Sequence, residues 1–135
     1  MAETFNFELV SPEALQVSKP VKMVSVPGSM GEYSVMAGHA PIITELKPGV
    51  IRIYADNEVD VTESLFVAGG FAEVTQTRFT VLAGEAIPVS KLDRAALKAE
   101  SKDLYAKIDT AISDSDRELL QKQWAVLEAK LQAAA

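Results

Sequence analysis

The sequence contains no cysteine and only one histidine in 135 residues. Without cysteine, a disulfide framework, a thiolate zinc site and a cysteine nucleophile are excluded. A single histidine leaves little chemistry for a histidine-ligated metal or a histidine-based proton relay. Basic residues are also few, 13 Lys and Arg against 19 Asp and Glu, and the net charge of −6 argues against a nucleic-acid partner.

Glycine and proline are missing from the last third of the chain. All seven Gly and all six Pro lie at or before Pro88, whereas ten of the 47 residues that follow are Ala. Net charge changes at the same point, from −6 over residues 1–88 to zero over residues 89–135. These coincident changes predict two domains, residues 1–88 and 89–135.

Long apolar runs are absent as well, since no stretch approaches the roughly 18 apolar residues that a membrane helix needs. The N-terminus, Met1 to Thr4, has neither a basic region nor an apolar signal core. We therefore expect no direct membrane insertion and a chain that works where it is made, most simply in a bacterial cytoplasm.

The first 88 residues alternate between short apolar strands and turn residues. Phe5, Phe7 and Leu9 alternate with more polar neighbours, which is the period of a half-buried strand. Turn signals follow at Pro27-Gly28, Lys47-Pro48-Gly49 and Asp56-Asn57. Short apolar strands separated by turn residues favour an antiparallel sandwich or barrel. The pair Gly69-Gly70 between apolar strands predicts a bulge or a close backbone approach.

An acidic group after the third turn could bind a cation or face solvent. The group comprises Asp56, Glu58, Asp60 and Glu63. Val59 and Val61 alternate with Asp60, which predicts a strand whose carboxylates lie on the solvent-exposed face. No EF-hand spacing is present, so we expect a solvated face and no metal site.

The last 47 residues have helical periodicity in two segments. Apolar or small residues recur every three or four positions and form one narrow seam: Leu97, Ser101, Leu104, Ile108 and Ala111, then Leu120, Trp124, Leu127, Leu131 and Ala134. Its place in the seam predicts that Trp124 packs internally. Ser90 with Asp93, and Ser115 with Glu118, resemble capping boxes at the two helix starts. The whole chain is therefore predicted to be α+β, an N-terminal antiparallel β-sandwich followed by a C-terminal antiparallel two-helix hairpin.

A hairpin with one narrow seam buries too little apolar area to be stable alone, so it needs a second surface. A permanently docked appendage is the simpler interpretation, and alternation between two docking sites is the other.

Candidate catalytic residues are scarce. His39, in Ala37-Gly38-His39-Ala40-Pro41, has no nucleophile or metal ligand at a recognisable spacing, which favours a structural or interface role. The segment Ser29-Met30-Gly31-Glu32 lacks a phosphate-binding motif, so it is predicted to be a turn or an exposed contact loop.

Several segments resemble the epsilon subunit of F-type ATP synthase. They are residues 26–32, 37–44, 46–53, 66–74 and 80–83, in order and at the expected spacing. The resemblance implies a non-catalytic rotor subunit of the central stalk, which couples hydrogen ion transport to ATP synthesis. It implies gamma and the c-ring as partners, with alpha and beta subunits as further partners of the hairpin. It also implies a peripheral position on the cytoplasmic face of the bacterial inner membrane.

The same resemblance implies site residues. Ser29, Met30, Gly31 and Glu32 align with the contact to the c-ring, with Glu32 facing a basic loop, and His39 lies in the adjacent rotor-interface segment. Some relatives bind ATP through an Ile/Leu-Asp-x-x-Arg-Ala motif. Asp93 stands in this motif, but Ala96 replaces its arginine and removes a bidentate phosphate contact. We therefore expect no nucleotide cofactor.

The hairpin of some relatives inhibits ATP hydrolysis, and here its second helix offers only Arg117, Lys122 and Lys130 to an acidic partner. We expect weak or absent inhibition. Two alternatives stay open: a nucleotide-sensing regulator of the same complex, and a free-standing β-sandwich binding module.

Overall fold

The structure, a computed structural model, describes residues 4–12 and 15–134. The chain divides into two compact units, Met1–Pro88 and Val89–Ala135. Residues 1–3, where the sequence predicts no signal segment, lie outside the described residues.

The first unit is built from strands. Within the described residues these are β1 Phe5–Val10, β2 Leu15–Val21, β3 Met23–Gly28, β4 Gly31–Met36, β5 Ile42–Tyr54, β6 Glu63–Val74, β7 Arg78–Ala83 and β8 Ala86–Pro88. Their hydrogen-bonded order is β2-β1-β7-β6-β5-β3-β4, and β8 pairs with β6. Neighbours are antiparallel except β1 and β7, which are parallel. With two helices after the strands, the predicted α+β sandwich-and-hairpin fold is confirmed.

The core of this unit comes from alternate positions of the strands, as the sequence pattern predicts. Phe5, Phe7 and Leu9 of β1 are buried, and so are Phe79 and Val81 of β7. The rings of Phe7 and Phe79 meet edge to face, with centroids 5.5 Å apart and planes at 70°. This geometry is favourable for an aromatic pair beyond the area it buries.

The long strands β5 and β6 change the face that they bury midway along their length. In β6, Leu65 and Val67 belong to the core cluster of the sandwich, but farther along its members are Ala72 and Val74. Since strand side chains alternate with period two, the inward phase has shifted by one residue between Val67 and Ala72. Gly69-Gly70 lies at this shift, where the second partner of β6 changes from β8 to β7.

Strand β5 shifts its phase at the same level. Leu46 is buried before the shift and Ile51 after it. The β3–β5 register is also irregular between Ser25 and Gly28. Strands that cross between the layers of a sandwich use such irregularities to keep an apolar face inside.

Two predictions about this unit are wrong. Lys47-Pro48-Gly49 does not turn the chain, because β5 continues through it and Pro48 pairs with Ala68 of β6. The predicted strand over Val59 and Val61 is an exposed loop, in which Asn57 Oδ1 accepts from the backbone N–H groups of Val59 and Asp60, each at 2.7 Å. An Asx-type turn therefore prevails over the period-two pattern there.

The second unit contains a 3₁₀ turn, Val89–Lys91, and two helices, α1 Arg94–Asp109 and α2 Asp114–Ala134. In α1 the predicted seam positions are less exposed than all the other positions. Trp124 is half-buried and its ring lies 5.8 Å from that of Tyr105, so it packs against α1. Within the described chain, neither helix combines the length and apolarity needed to cross a bilayer.

Both predicted helix caps are displaced. Asp93, not Ser90, caps α1, and its Oδ1 accepts from the N–H groups of Ala95 and Ala96 at 3.0 and 3.2 Å. At α2, Ser113 Oγ accepts from Asp116 N at 3.1 Å, two residues before the predicted cap Ser115. Because several neighbouring Ser and Asp residues can cap a helix, the pattern locates the start only to within a turn.

Candidate functional site

The segment Ser29-Met30-Gly31-Glu32 forms the tip of the β3–β4 hairpin. Gly28 pairs with Gly31, so Ser29 and Met30 are the two turn residues, and Met30 is fully exposed. Both flanking glycines are required, because Gly31 has a φ of +135° and a Cβ on Gly28 would lie 2.6 Å from the Gly31 carbonyl oxygen. Ser29 N donates to Glu45 O at 3.0 Å and ties the turn to β5.

Glu32 and His39 line one hollow beside this turn. The hollow has a volume of about 510 Å³, and its wall also includes Met30, Tyr33 and Ile42. His39 is half-buried and its Nδ1 lies 2.7 Å from the carbonyl oxygen of Ala40, a contact that needs the proton on Nδ1. The wall is mainly apolar. A partner that bound here would therefore contact the Glu32 carboxylate and the His39 imidazole, surrounded by apolar side chains.

A second exposed surface is a row of apolar side chains across four strands. It consists of Leu15, Val10, Leu82 and Phe71, called here the apolar row. Strand pairing places Leu15 opposite Val10, Val10 opposite Leu82 and Leu82 opposite Phe71. Leu15, Leu82 and Phe71 are each more than half exposed. A shallow hollow of about 410 Å³ lies over Val10, Phe71 and Leu82.

The apolar row was missed by sequence reasoning, although a signal for it was present. In β7 the outward positions are Arg78, Thr80 and Leu82, so the polar alternation fails at the last of them. The same failure occurs in β6, where Phe71 is exposed next to buried Ala72. Contiguous exposed apolar side chains on a sheet face are typical of a protein-binding surface.

Asp93, a nucleotide-motif residue that this sequence retains, has a structural role in the hairpin. Its Oδ1 is engaged by two backbone N–H groups of α1. Ala96 follows within the first turn of the same helix and offers no cationic group. The acidic loop residues Asp56, Glu58 and Asp60 are exposed, and within the described residues no group of three or more potential ligands converges on a metal site.

Comparisons with known proteins agree with one another. Residues 4–89 match the family model described as ATP synthase, Delta/Epsilon chain, beta-sandwich domain. A curated relative from Rhodospirillum centenum, named ATP synthase epsilon chain, is 50% identical over 134 residues. That match covers 97% of this chain and 92% of the relative.

Solved structures share the fold over nearly the whole chain. A chain in the Euglena gracilis mitochondrial ATP synthase, solved as OSCP/F1/c-ring, aligns with a TM-score of 0.84 at 21% identity. The match covers 99% of this chain and 82% of that one. A chain in the Tetrahymena thermophila mitochondrial ATP synthase central stalk and c-ring aligns with a TM-score of 0.69 at 13% identity, covering 99% and 98%. From the family match and the 50% identity, this chain belongs to the family of ATP synthase epsilon chains.

Proposed function

We propose that this chain is a non-catalytic central-stalk subunit of a bacterial F-type ATP synthase that couples proton translocation to ATP synthesis. This proposal is carried by a 50% identity to an ATP synthase epsilon chain, in a match that covers 97% of this chain. Two exposed surfaces on the first unit support it, because a coupling subunit must bind one partner on each of two faces.

The apolar row is the proposed contact for gamma. Its side chains lie on strands whose opposite faces form the core, so the row is held rigidly and is preorganised for binding. Leu82 lies at the centre of the row, between Val10 and Phe71, and a central apolar side chain is where binding energy concentrates. The acidic side chains Glu8 and Glu73 on neighbouring positions would form a polar rim.

Charge placed in the apolar row should abolish tight binding of gamma. We expect Leu82→Glu and Phe71→Glu each to weaken binding by at least about 30-fold, the scale of a hot-spot residue. Binding of the full chain to cognate gamma can be measured by calorimetry. Val59→Glu is the matched control, because Val59 is an exposed apolar residue in the loop between β5 and β6. A wild-type chain that fails to bind gamma would contradict the proposal itself.

The Ser29–Glu32 turn, with His39 beside it, is the proposed contact for the c-ring. Met30 projects fully into solvent, Glu32 supplies a carboxylate for a basic loop, and His39 lines the same hollow. Since exposed ion pairs contribute only about 0–1 kcal/mol, Glu32 would set register more than binding strength. This contact would place the chain peripherally at the cytoplasmic face of the inner membrane.

The hairpin is proposed to contact alpha and beta subunits weakly and to bind no nucleotide. Helix α2 carries three basic and four acidic residues, so it has no excess of positive charge for an acidic partner. Arg117, one of the three, donates from Nη2 to the Ala111 carbonyl at 3.3 Å and closes the connection between the helices. The capping contacts of Asp93 and the alanine at position 96 argue against a nucleotide-sensing regulator.

Removal of the hairpin should therefore leave ATP hydrolysis nearly unchanged. In the reconstituted complex, we expect the full chain and a chain ending at Val89 to give rates within about two-fold of each other, at low and at millimolar ATP. Steady-state hydrolysis by both complexes is the measurement, with subunit content checked after purification. An increase of about tenfold on truncation would show an inhibitory hairpin and contradict this expectation.

A further inference from the structure

Two side chains from neighbouring strands hold the carboxylate of Glu32. Ser25 Oγ donates to Glu32 Oε1 at 2.6 Å, and Arg52 Nη1 donates to the same oxygen at 3.1 Å. The three residues lie on β3, β4 and β5, which are adjacent in the sheet. Ser25 stands directly opposite Arg52 in the β3–β5 register.

Ser25 differs from the other polar residues on this face because it is only 4% exposed. Val24 and Val26 on either side of it belong to the core, so its side chain points to the outer face of the sheet. A hydroxyl at such a position needs a hydrogen-bond partner, and Glu32 supplies it. The bond is charge-assisted and short, which makes it one of the stronger contacts on this surface.

Both contacts use one oxygen of the carboxylate. Within residues 4–12 and 15–134, the hydrogen bonds of Glu32 fall on Oε1, and its side chain is 57% exposed. A carboxylate oxygen has two lone pairs, so Oε1 is filled by the two donors. The other oxygen, Oε2, is left to accept from a donor outside this chain.

We propose that Ser25 and Arg52 are positioning residues that hold Glu32 with Oε2 directed toward a cationic loop of its partner. The inference rests on the proposed contact of Glu32 with the c-ring and names the side chains that prepare it. A carboxylate already held in one rotamer loses less conformational entropy on binding. Arg52 also offsets the charge of Glu32, so the site selects a partner by geometry more than by net charge.

The first test uses the full free chain. In wild type, NMR three-bond couplings should show one dominant χ1 rotamer for Glu32, and rotamer averaging should appear in Ser25→Ala and Arg52→Gln. Arg78→Gln is the matched control, because Arg78 pairs with Glu8 on other strands. Averaged rotamers in the wild type, or unchanged rotamers in both variants, would overturn the positioning role whatever the c-ring result.

The second test measures binding of the full chain, with gamma, to the detergent-solubilised c-ring. Arg52→Gln and Ser25→Ala should each weaken binding about three- to tenfold, the scale of one typical intramolecular hydrogen bond. In chains that also carry Glu32→Gln, the same two substitutions should change nothing further. In chains that keep Glu32, Arg52→Lys should retain part of the affinity that Arg52→Gln loses. Additive losses would overturn the proposal, because these residues would then act independently of Glu32. If Glu32→Gln leaves binding unchanged while the rotamer is fixed as predicted, the c-ring contact fails and the positioning of Glu32 stands.

Discussion

Replacing Gly70 with alanine should destabilise the sandwich by about 4 kcal/mol or more, because there is no room for a Cβ atom at this position. A Cβ there would lie 2.1 Å from the Leu82 carbonyl oxygen and 3.0 Å from Ala83 Cα. Both are backbone atoms of β7, so they cannot move without breaking the β6–β7 pairing. Gly70 also has a φ of +150°, a conformation that residues with a side chain rarely adopt.

Urea denaturation of the full chain, followed by far-ultraviolet circular dichroism, measures this loss. Gly84→Ala is the matched control, because a Cβ at Gly84 would meet no heavy atom within 4 Å. We expect the Gly84 variant to stay within about 1 kcal/mol of wild type. If the two alanine variants were equally stable, the close approach of β6 to β7 would be wrong.

Phe7→Ala should cost about 3–5 kcal/mol, the range for removing a fully buried aromatic side chain. Phe7 has no exposed surface, and its substitution also removes the edge-to-face contact with Phe79. Since small domains have total stabilities of about 5–15 kcal/mol, the substitution is expected to remove a large part of the free energy of unfolding.

Phe71→Ala is the control for the Phe7 substitution, since it makes the same chemical change at a residue that is 57% exposed. Its stability should change by less than about 1 kcal/mol. The two variants therefore separate the inward and outward faces of the sheet. A large loss of stability in Phe71→Ala would mean that the apolar row belongs to the core and is not a surface for gamma.

The inward face of the strands could be predicted from the sequence because it depends on local periodicity. Phe5, Phe7 and Leu9 alternate with less buried residues in both the pattern and the structure. The hairpin seam, from Leu97 to Ile108 in α1, was predicted for the same reason. The close approach at Gly69-Gly70 was also foreseen, because glycine in an apolar strand indicates that another backbone is near.

Local patterns failed where a distant strand or a competing local turn determined the outcome. Lys47-Pro48-Gly49 contains strong turn residues, yet β6 pairs on both sides of it and keeps β5 continuous. Val59 and Val61 alternate like a strand, but Asn57 closes a turn there and leaves both valines exposed. The candidate site follows the same rule, since the position of the 29–32 turn was predictable but the two donors that hold Glu32 were not.

By itself, the sequence determined the α+β fold class, the alternation of buried and exposed residues in the strands, the helical seam and the family to which the chain belongs. These properties depend on residues close together along the chain, or on motifs of fixed spacing. Only the tertiary structure decided that Leu15, Val10, Leu82 and Phe71 form one row, and that Ser25 and Arg52 converge on Glu32. Such neighbours are brought together by strand register, which is set by long-range pairing and the packing of the core.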